Sequence, residues 1–167
     1  EKECHTFTSD NICIINFRGG EYRNVPQFFL SPTYWSNAIA VMRAKNPNFK
    51  FVVITDDVWT AKAFFPNFEV HHFSIGEDYS IIKNARYAIL SNSSFPYFAT
   101  LTSDTLEYIV APKYWARHNT SDGYWSLGYN IFRNHHYLDR DGNLFDYDTC
   151  MQESEEYRRN NPDLFLS

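Results

Sequence analysis

The feature that most constrains this chain is a rhythm between residues 12 and 112, where short apolar runs alternate with stretches of helical periodicity. The runs are Ile12 to Asn16, Phe51 to Thr55, Phe68 to Phe73, Tyr87 to Leu90 and Glu107 to Ala111. Ile12 to Asn16 is continuously apolar and ends in glycines, the pattern of a buried strand. Ser31-Pro32 then supplies a helix cap followed by proline at the first helical position. Trp35, Ala38, Ile39 and Met42 follow at helical spacing, so one face of that helix packs inward. Asn46-Pro47 ends it. A second helix is capped by Asp56 or Asp57 and runs to about Phe65. A third spans Asp78 to Ala85, and a fourth begins at Ser94. Strands that alternate with helices are joined by right-handed crossovers into a parallel sheet. The expected fold is therefore α/β, a Rossmann-like parallel sheet flanked by helices.

The 167 residues suit one domain, with its core over about 10 to 118. Residues 114 to 147 are rich in Tyr, Trp, Asn, Gly and Asp and lose the periodicity. They predict an ordered loop region, with a short hairpin turned at Asp141-Gly142. Residues 148 to 160 predict a terminal helix. The aromatic loop and this helix fill 119 to 167. The chain starts at Glu1 and is expected to be part of a longer two-domain protein.

A net charge of -5 excludes general nucleic-acid binding, which needs a basic face, but leaves room for a local phosphate pocket. No run approaches the roughly 18 apolar residues of a membrane span. Cys4, Cys13 and Cys150 contain no CxxC pair and read as reduced thiols. Sequons stand at Asn92 and Asn119, without meaning in a cytoplasmic protein.

Ligands of parallel sheets bind beyond the carboxyl ends of the strands. After the first strand comes Asn16-Phe17-Arg18-Gly19-Gly20-Glu21. Paired glycines let backbone amides approach an anion, and arginine adds a bidentate fork. A tight turn whose arginine pairs with a surface acid fits the same residues. The spacing is neither a GxGxxG nor a Walker loop. Thr55-Asp56-Asp57 offers carboxylates for a ribose, a base or a metal, or simply caps a helix. Asn92-Ser93-Ser94-Phe95 sets hydroxyls and amides at a helix start, as an anion site or as a cap. Lys113, Tyr114, Trp115, Arg117 and His118 interleave basic and aromatic groups, for phosphate, for stacking or for packing on another domain. His71-His72 and His135-His136 are adjacent pairs, and adjacent residues on a strand face opposite ways, so neither pair makes a good metal site.

These segments resemble, in order, three blocks of the α-1,2-fucosyltransferase family, glycosyltransferase family 11. Its His-x-Arg-x-Gly-Asp block is similar to Asn16-Phe17-Arg18-Gly19-Gly20-Glu21. Its strand ending in Ser-Asp-Asp is similar to Phe51-Val52-Val53-Ile54-Thr55-Asp56-Asp57. Its Asn-Ser-Ser-Phe-Ser-Trp-Trp block is similar to Asn92-Ser93-Ser94-Phe95-Pro96-Tyr97-Phe98, and its Pro-Lys-x-Trp ending to Pro112-Lys113-Tyr114-Trp115. The resemblance covers roughly residues 10 to 118. It implies the C-terminal, donor-binding half of a two-domain GT-B glycosyltransferase. It implies GDP-fucose as donor, a glycan acceptor, inversion at the anomeric centre and no metal or other cofactor. An N-terminal acceptor-side half would be the partner, and a bacterial member would work in the cytoplasm or on the cytoplasmic face of a membrane. Arg18 and Glu21 would be catalytic, with the general base either Glu21 or a residue of the acceptor-side half. Asn16, Arg18, Gly19, Gly20, Asp56, Asp57, Asn92, Ser93, Ser94, Phe95 and Lys113 would bind the donor. The departures are Asn16 for histidine, Glu21 for aspartate, and Pro96-Tyr97-Phe98 for Ser-Trp-Trp. They bear on the identity of the sugar more than on the nucleotide.

Overall fold

The computed structural model describes residues 7–125 and 130–165. Cys4 lies outside them, as do residues 126–129 of the expected loop region. The chain forms an α/β sandwich around one sheet of seven strands. The strands are β1 (Ile12–Phe17), β2 (Lys50–Thr55), β3 (Glu69–His71), β4 (Tyr87–Ile89), β5 (Tyr108–Pro112), β6 (His135–Leu138) and β7 (Leu144–Phe145). Five helices flank them: α1 (Pro32–Lys45), α2 (Val58–Phe64), α3 (Ile75–Lys83), α4 (Ser94–Leu101) and α5 (Tyr147–Asn160). The spatial order is β3-β2-β1-β4-β5-β6-β7, parallel throughout except for β7. The first six strands thus take the 3-2-1-4-5-6 order of a Rossmann-like domain.

Side-chain alternation along β1 explains the layering. Cys13, Ile15 and Phe17 point into a cluster with Trp35, Ala38 and Met42 of α1 and with Ala61 and Phe65 beside β2. Ile12 and Ile14 point the other way, into a cluster with Ile81 and Ile82 of α3 and Ala99 of α4. A third cluster packs Ala88, Leu90 and Ile109 against Trp125, Tyr137 and Cys150 of α5. All six residues of β1 are buried, as a strand covered on both faces must be. The thiols of Cys13 and Cys150 are both free and buried. Burial pushes the Cys150 thiol up to about 12.

Several element boundaries differ from those expected. Helix α3 begins three residues earlier than Asp78, because Ser74 and Glu77 form a reciprocal capping box. The stretch after Lys113 holds the expected hairpin, β6–β7, and its first strand also pairs with β5 in parallel, which was not expected. The β6–β7 hairpin does turn at Asp141-Gly142, closed by the Asp139 and Asn143 backbones. The outer strands are short. β3 has three residues and is tied to β2 by a 2.6 Å Lys50–Glu69 ion pair, while β7 has two. No helix among the described residues is long and apolar enough to cross a membrane.

Phe17 ends β1 inside a nest of rings from Phe29, Trp35, Phe64 and Phe65, at centroid distances of 5.1 to 6.2 Å. Phe17→Ala is expected to cost about 3–5 kcal/mol, as truncation of a fully buried ring does. Urea unfolding monitored by circular dichroism measures it.

Candidate functional site

In the observed strand order, β1 is paired with β2 on one side and β4 on the other, so consecutive connections leave it in opposite directions. The carboxyl ends of β1 and β4 therefore flank the topological switch point, where open α/β sheets take their ligands. Two hydrogen bonds join the elements here. Ser91 Oγ donates to Asn16 Oδ1 at 2.6 Å, and Tyr34 Oη of α1 donates to the Leu90 carbonyl at 2.7 Å. Asn16 is thus a buried strut between β1 and the end of β4.

Arg18 leaves β1 toward the end of β2. Its Nη1 lies 3.2 Å from Asp56 Oδ2 and its Nη2 lies 3.8 Å from Glu21 Oε1. Its Nε is buried without a hydrogen-bond partner among the described residues. The Gly19 amide donates to Asp56 Oδ1 at 3.0 Å. A side chain at Gly19 would place its Cβ 2.7 Å from Asp57 Cβ, and Gly20 has φ +31 with the Asp56 carboxylate against it. The two glycines therefore let the β1 turn close onto the aspartates of β2. The arginine fork and the Gly19 amide already hold an anion, and it is the carboxylate of Asp56.

Asp57 serves the helix. Its carboxylate accepts from Thr60 N at 3.1 Å and from Thr60 Oγ1 at 2.7 Å, capping α2, and Arg23 Nε lies 3.3 Å away. Burial acts to raise this carboxyl. The Thr60 hydrogen bonds, the Arg23 charge and the Gly20 amide outweigh burial and hold it below the ordinary aspartate value.

At the end of β4, Ser93 caps α4 through a 3.3 Å hydrogen bond from Phe95 N, and Ser94 is exposed in the first turn. Asn92 is 3 % exposed, yet neither its Nδ2 nor its Oδ1 has a partner among the described residues. A buried amide with no partner costs stability, so such a group commonly marks a site that something else completes. The same burial removes Asn92 from any role as a sequon. Asn119 Nδ2 is spent on the carbonyls of Pro26 and Phe29.

A cleft of about 130 Å³ lies beside Arg18, lined by Asn16, Phe17, Arg18, Ile54, Thr55, Asp56, His72, Ile75, Asp78 and Phe95. Asn16, Arg18, Asp56 and Phe95 are thus brought together as expected. Glu21 is not among the lining residues, and its side chain is 77 % exposed. Lys113 departs from the grouping altogether. Its ammonium is 2.6 Å from Glu153 of α5 and 3.3 Å from the Phe145 ring centroid. His118 is buried too, its Nδ1 3.1 Å from the Lys113 carbonyl oxygen, and burial pulls it down to about 4.

Sequence reasoning passed over two lining residues, His72 and Asp78. His72 Nδ1 is 2.8 Å from Asp78 Oδ2, and Asp78 Oδ1 accepts from Phe73 N at 3.0 Å. The Ser74-x-x-Glu77 capping signature, which starts α3 and sets Asp78 in its first turn, was the available signal. Comparison with protein-family models and with curated proteins gives no match for this chain.

Asp57→Ala removes the α2 cap and is expected to cost about 0.5–2 kcal/mol at neutral pH. Because the folded-state carboxyl lies below its unfolded value of about 3.9, its contribution is complete above that pH. It is lost as the pH falls through the folded value. The gap between wild type and variant in urea titrations should therefore narrow below about pH 4.

Proposed function

We propose that this chain is the donor-binding domain of an inverting, fucosyltransferase-like glycosyltransferase that takes GDP-fucose and transfers fucose to a glycan hydroxyl. The observation that carries the reading is the switch point. Arg18 with an unpaired Nε and Asn92 with an unpaired buried amide stand at the ends of neighbouring strands. Both belong to the segments that resemble the fucosyltransferase blocks.

In this reading Arg18 binds the diphosphate and stabilises the charge that builds on the departing nucleotide. Ser93 and Ser94 present hydroxyls and amides at the start of α4, and Asn92 orients the donor. A phosphate reaches Arg18 by displacing Asp56, which frees that carboxylate to accept from the ribose or the base. The 130 Å³ cleft is smaller than the roughly 300–1,000 Å³ typical of small-molecule sites. The nucleotide sugar therefore extends out of it, toward the acceptor-side domain that completes a GT-B enzyme. Arginine takes the charge-neutralising role, so donor binding is proposed to be independent of metal. In a bacterial cell such a donor places the domain in the cytoplasm or on the cytoplasmic face of a membrane.

One observation favours a second reading, a non-catalytic module that binds a glycan or only packs against a partner. Asp56 satisfies both Arg18 and the Gly19 amide from within the chain. A thermal-shift series with GDP, UDP and ADP, with and without Mg²⁺, separates the two. A GDP-selective rise that ignores Mg²⁺ is the result expected of the transferase. No response to any nucleotide sinks it.

Two substitutions refine the assignment. Arg18→Ala is expected to weaken GDP binding about 10- to 150-fold, the range for losing a hydrogen bond to a charged group. Asp56→Asn removes the competing internal anion and is expected to tighten inorganic pyrophosphate severalfold. Isothermal titration calorimetry reads both. An unchanged GDP affinity in Arg18→Ala refutes the role of Arg18.

A further inference from the structure

We propose that His72, oriented by Asp78, is the proton acceptor of this site. The inference rests on the donor-binding reading above and gives the base role, for which Glu21 was one candidate, to a different residue.

The geometry of the β3–α3 connection carries it. The amides at the start of α3 are served by the Ser74–Glu77 capping box. Asp78 is therefore not needed as the cap, yet it is buried at 5 % exposure in the first turn. Its two oxygens go to Phe73 N and to His72 Nδ1. A carboxylate next to Nδ1 requires the proton on that nitrogen, which leaves Nε2 of the neutral ring as a bare lone pair. Among the described residues Nε2 of His72 has no partner. The ring is half exposed, with its side chain at 46 %, and it lines the same cleft as Arg18 and Asp56. A base fixed in one tautomer by a buried carboxylate, across a cleft from an arginine, is the arrangement that nucleophile activation needs. Glu21 lacks each of these properties. It is exposed, it does not line the cleft, and its carboxylate faces Arg18.

The step balances without a further reactant. The acceptor hydroxyl oxygen attacks the anomeric carbon as the bond from that carbon to the diphosphate oxygen breaks. The bonding pair leaves on the diphosphate, whose charge Arg18 meets. The hydroxyl proton passes to His72 Nε2, and the imidazolium is balanced by Asp78. Asp78 touches no reacting atom and acts as a positioning residue.

The test uses the chain carrying His72→Gln or Asp78→Asn, with thermal melts confirming that each folds. Three readouts are taken: GDP affinity by calorimetry, GDP release from GDP-fucose by hydrolysis with water as the attacking hydroxyl, and the ¹⁵N signals of the His72 ring. In the wild type the neutral ring should carry its proton on Nδ1, and saturating GDP should shift the Nε2 signal. His72→Gln should hold GDP affinity within about twofold and slow GDP release about 100-fold or more, the scale of a lost general base. Asp78→Asn should slow release and also move the proton to Nε2, which a purely structural aspartate would not do. Release by His72→Gln within twofold of wild type, with GDP still bound, overturns the proposal. So does a wild type that binds GDP but releases none from GDP-fucose, and the binding reading then survives alone. A wild type that binds no GDP overturns both.

Discussion

Everything at the carboxyl edge of the sheet depends on β1 being hydrogen-bonded on both sides by parallel neighbours. A strand in that position must be apolar on both faces, and Ile12–Phe17 is. Once β2 and β4 take its two edges, the chain has to leave the end of β1 into open space, because helices fill the layers above and below. Arg18, Gly19 and Gly20 are what the chain places there. The Asn16–Ser91 hydrogen bond then joins β1 to the end of β4. Asn16 replaces a histidine of the resembling family, and here it acts as a buried strut.

The electrostatics of the crevice are a contest over Arg18. Asp56 meets the guanidinium at 3.2 Å and accepts from the Gly19 amide as a second contact. Both side chains are partly buried, 31 % and 24 % exposed, and Arg18 Nε is buried. The arrangement keeps the guanidinium oriented. It also explains the two glycines, since a side chain at either would meet an aspartate of β2. On the far side of the cleft, the Asp78 carboxylate organises the β3–α3 connection in the same way.

Much of this was legible from local pattern. The continuous runs at Ile12, Phe51, Tyr87 and Ile109 gave their strands away, and Ser31-Pro32 marked the start of α1 to the residue. The parallel pairing of β6 with β5 escaped because His135-His136-Tyr137 has no aliphatic run to announce it. Its burial comes from Trp125, Thr100 and α5, contacts distant in sequence. The pairing of Lys113 was hidden for a similar reason. A lysine past a strand end looks like a phosphate ligand until α5 folds back and brings Glu153 to it. The Arg18–Asp56 pair joins two separately recognised motifs, and nothing in either motif says that they satisfy each other. His72 and Asp78, six residues apart across a strand end and a cap, match no spacing rule.

The two outer strands bear on how this molecule meets others. A sheet with a long, bare lateral strand invites another copy to dock by backbone pairing, the route to polymers. Here one flank ends in the three residues of β3, with charged Glu69, and the other in the two residues of β7. Neither offers enough unpaired backbone to template a growing ribbon. The surfaces left for contact with any other molecule are the helical faces and the carboxyl edge where Arg18 and Asn92 stand. A partner that settles there would be held by side-chain complementarity and could open and close over a ligand.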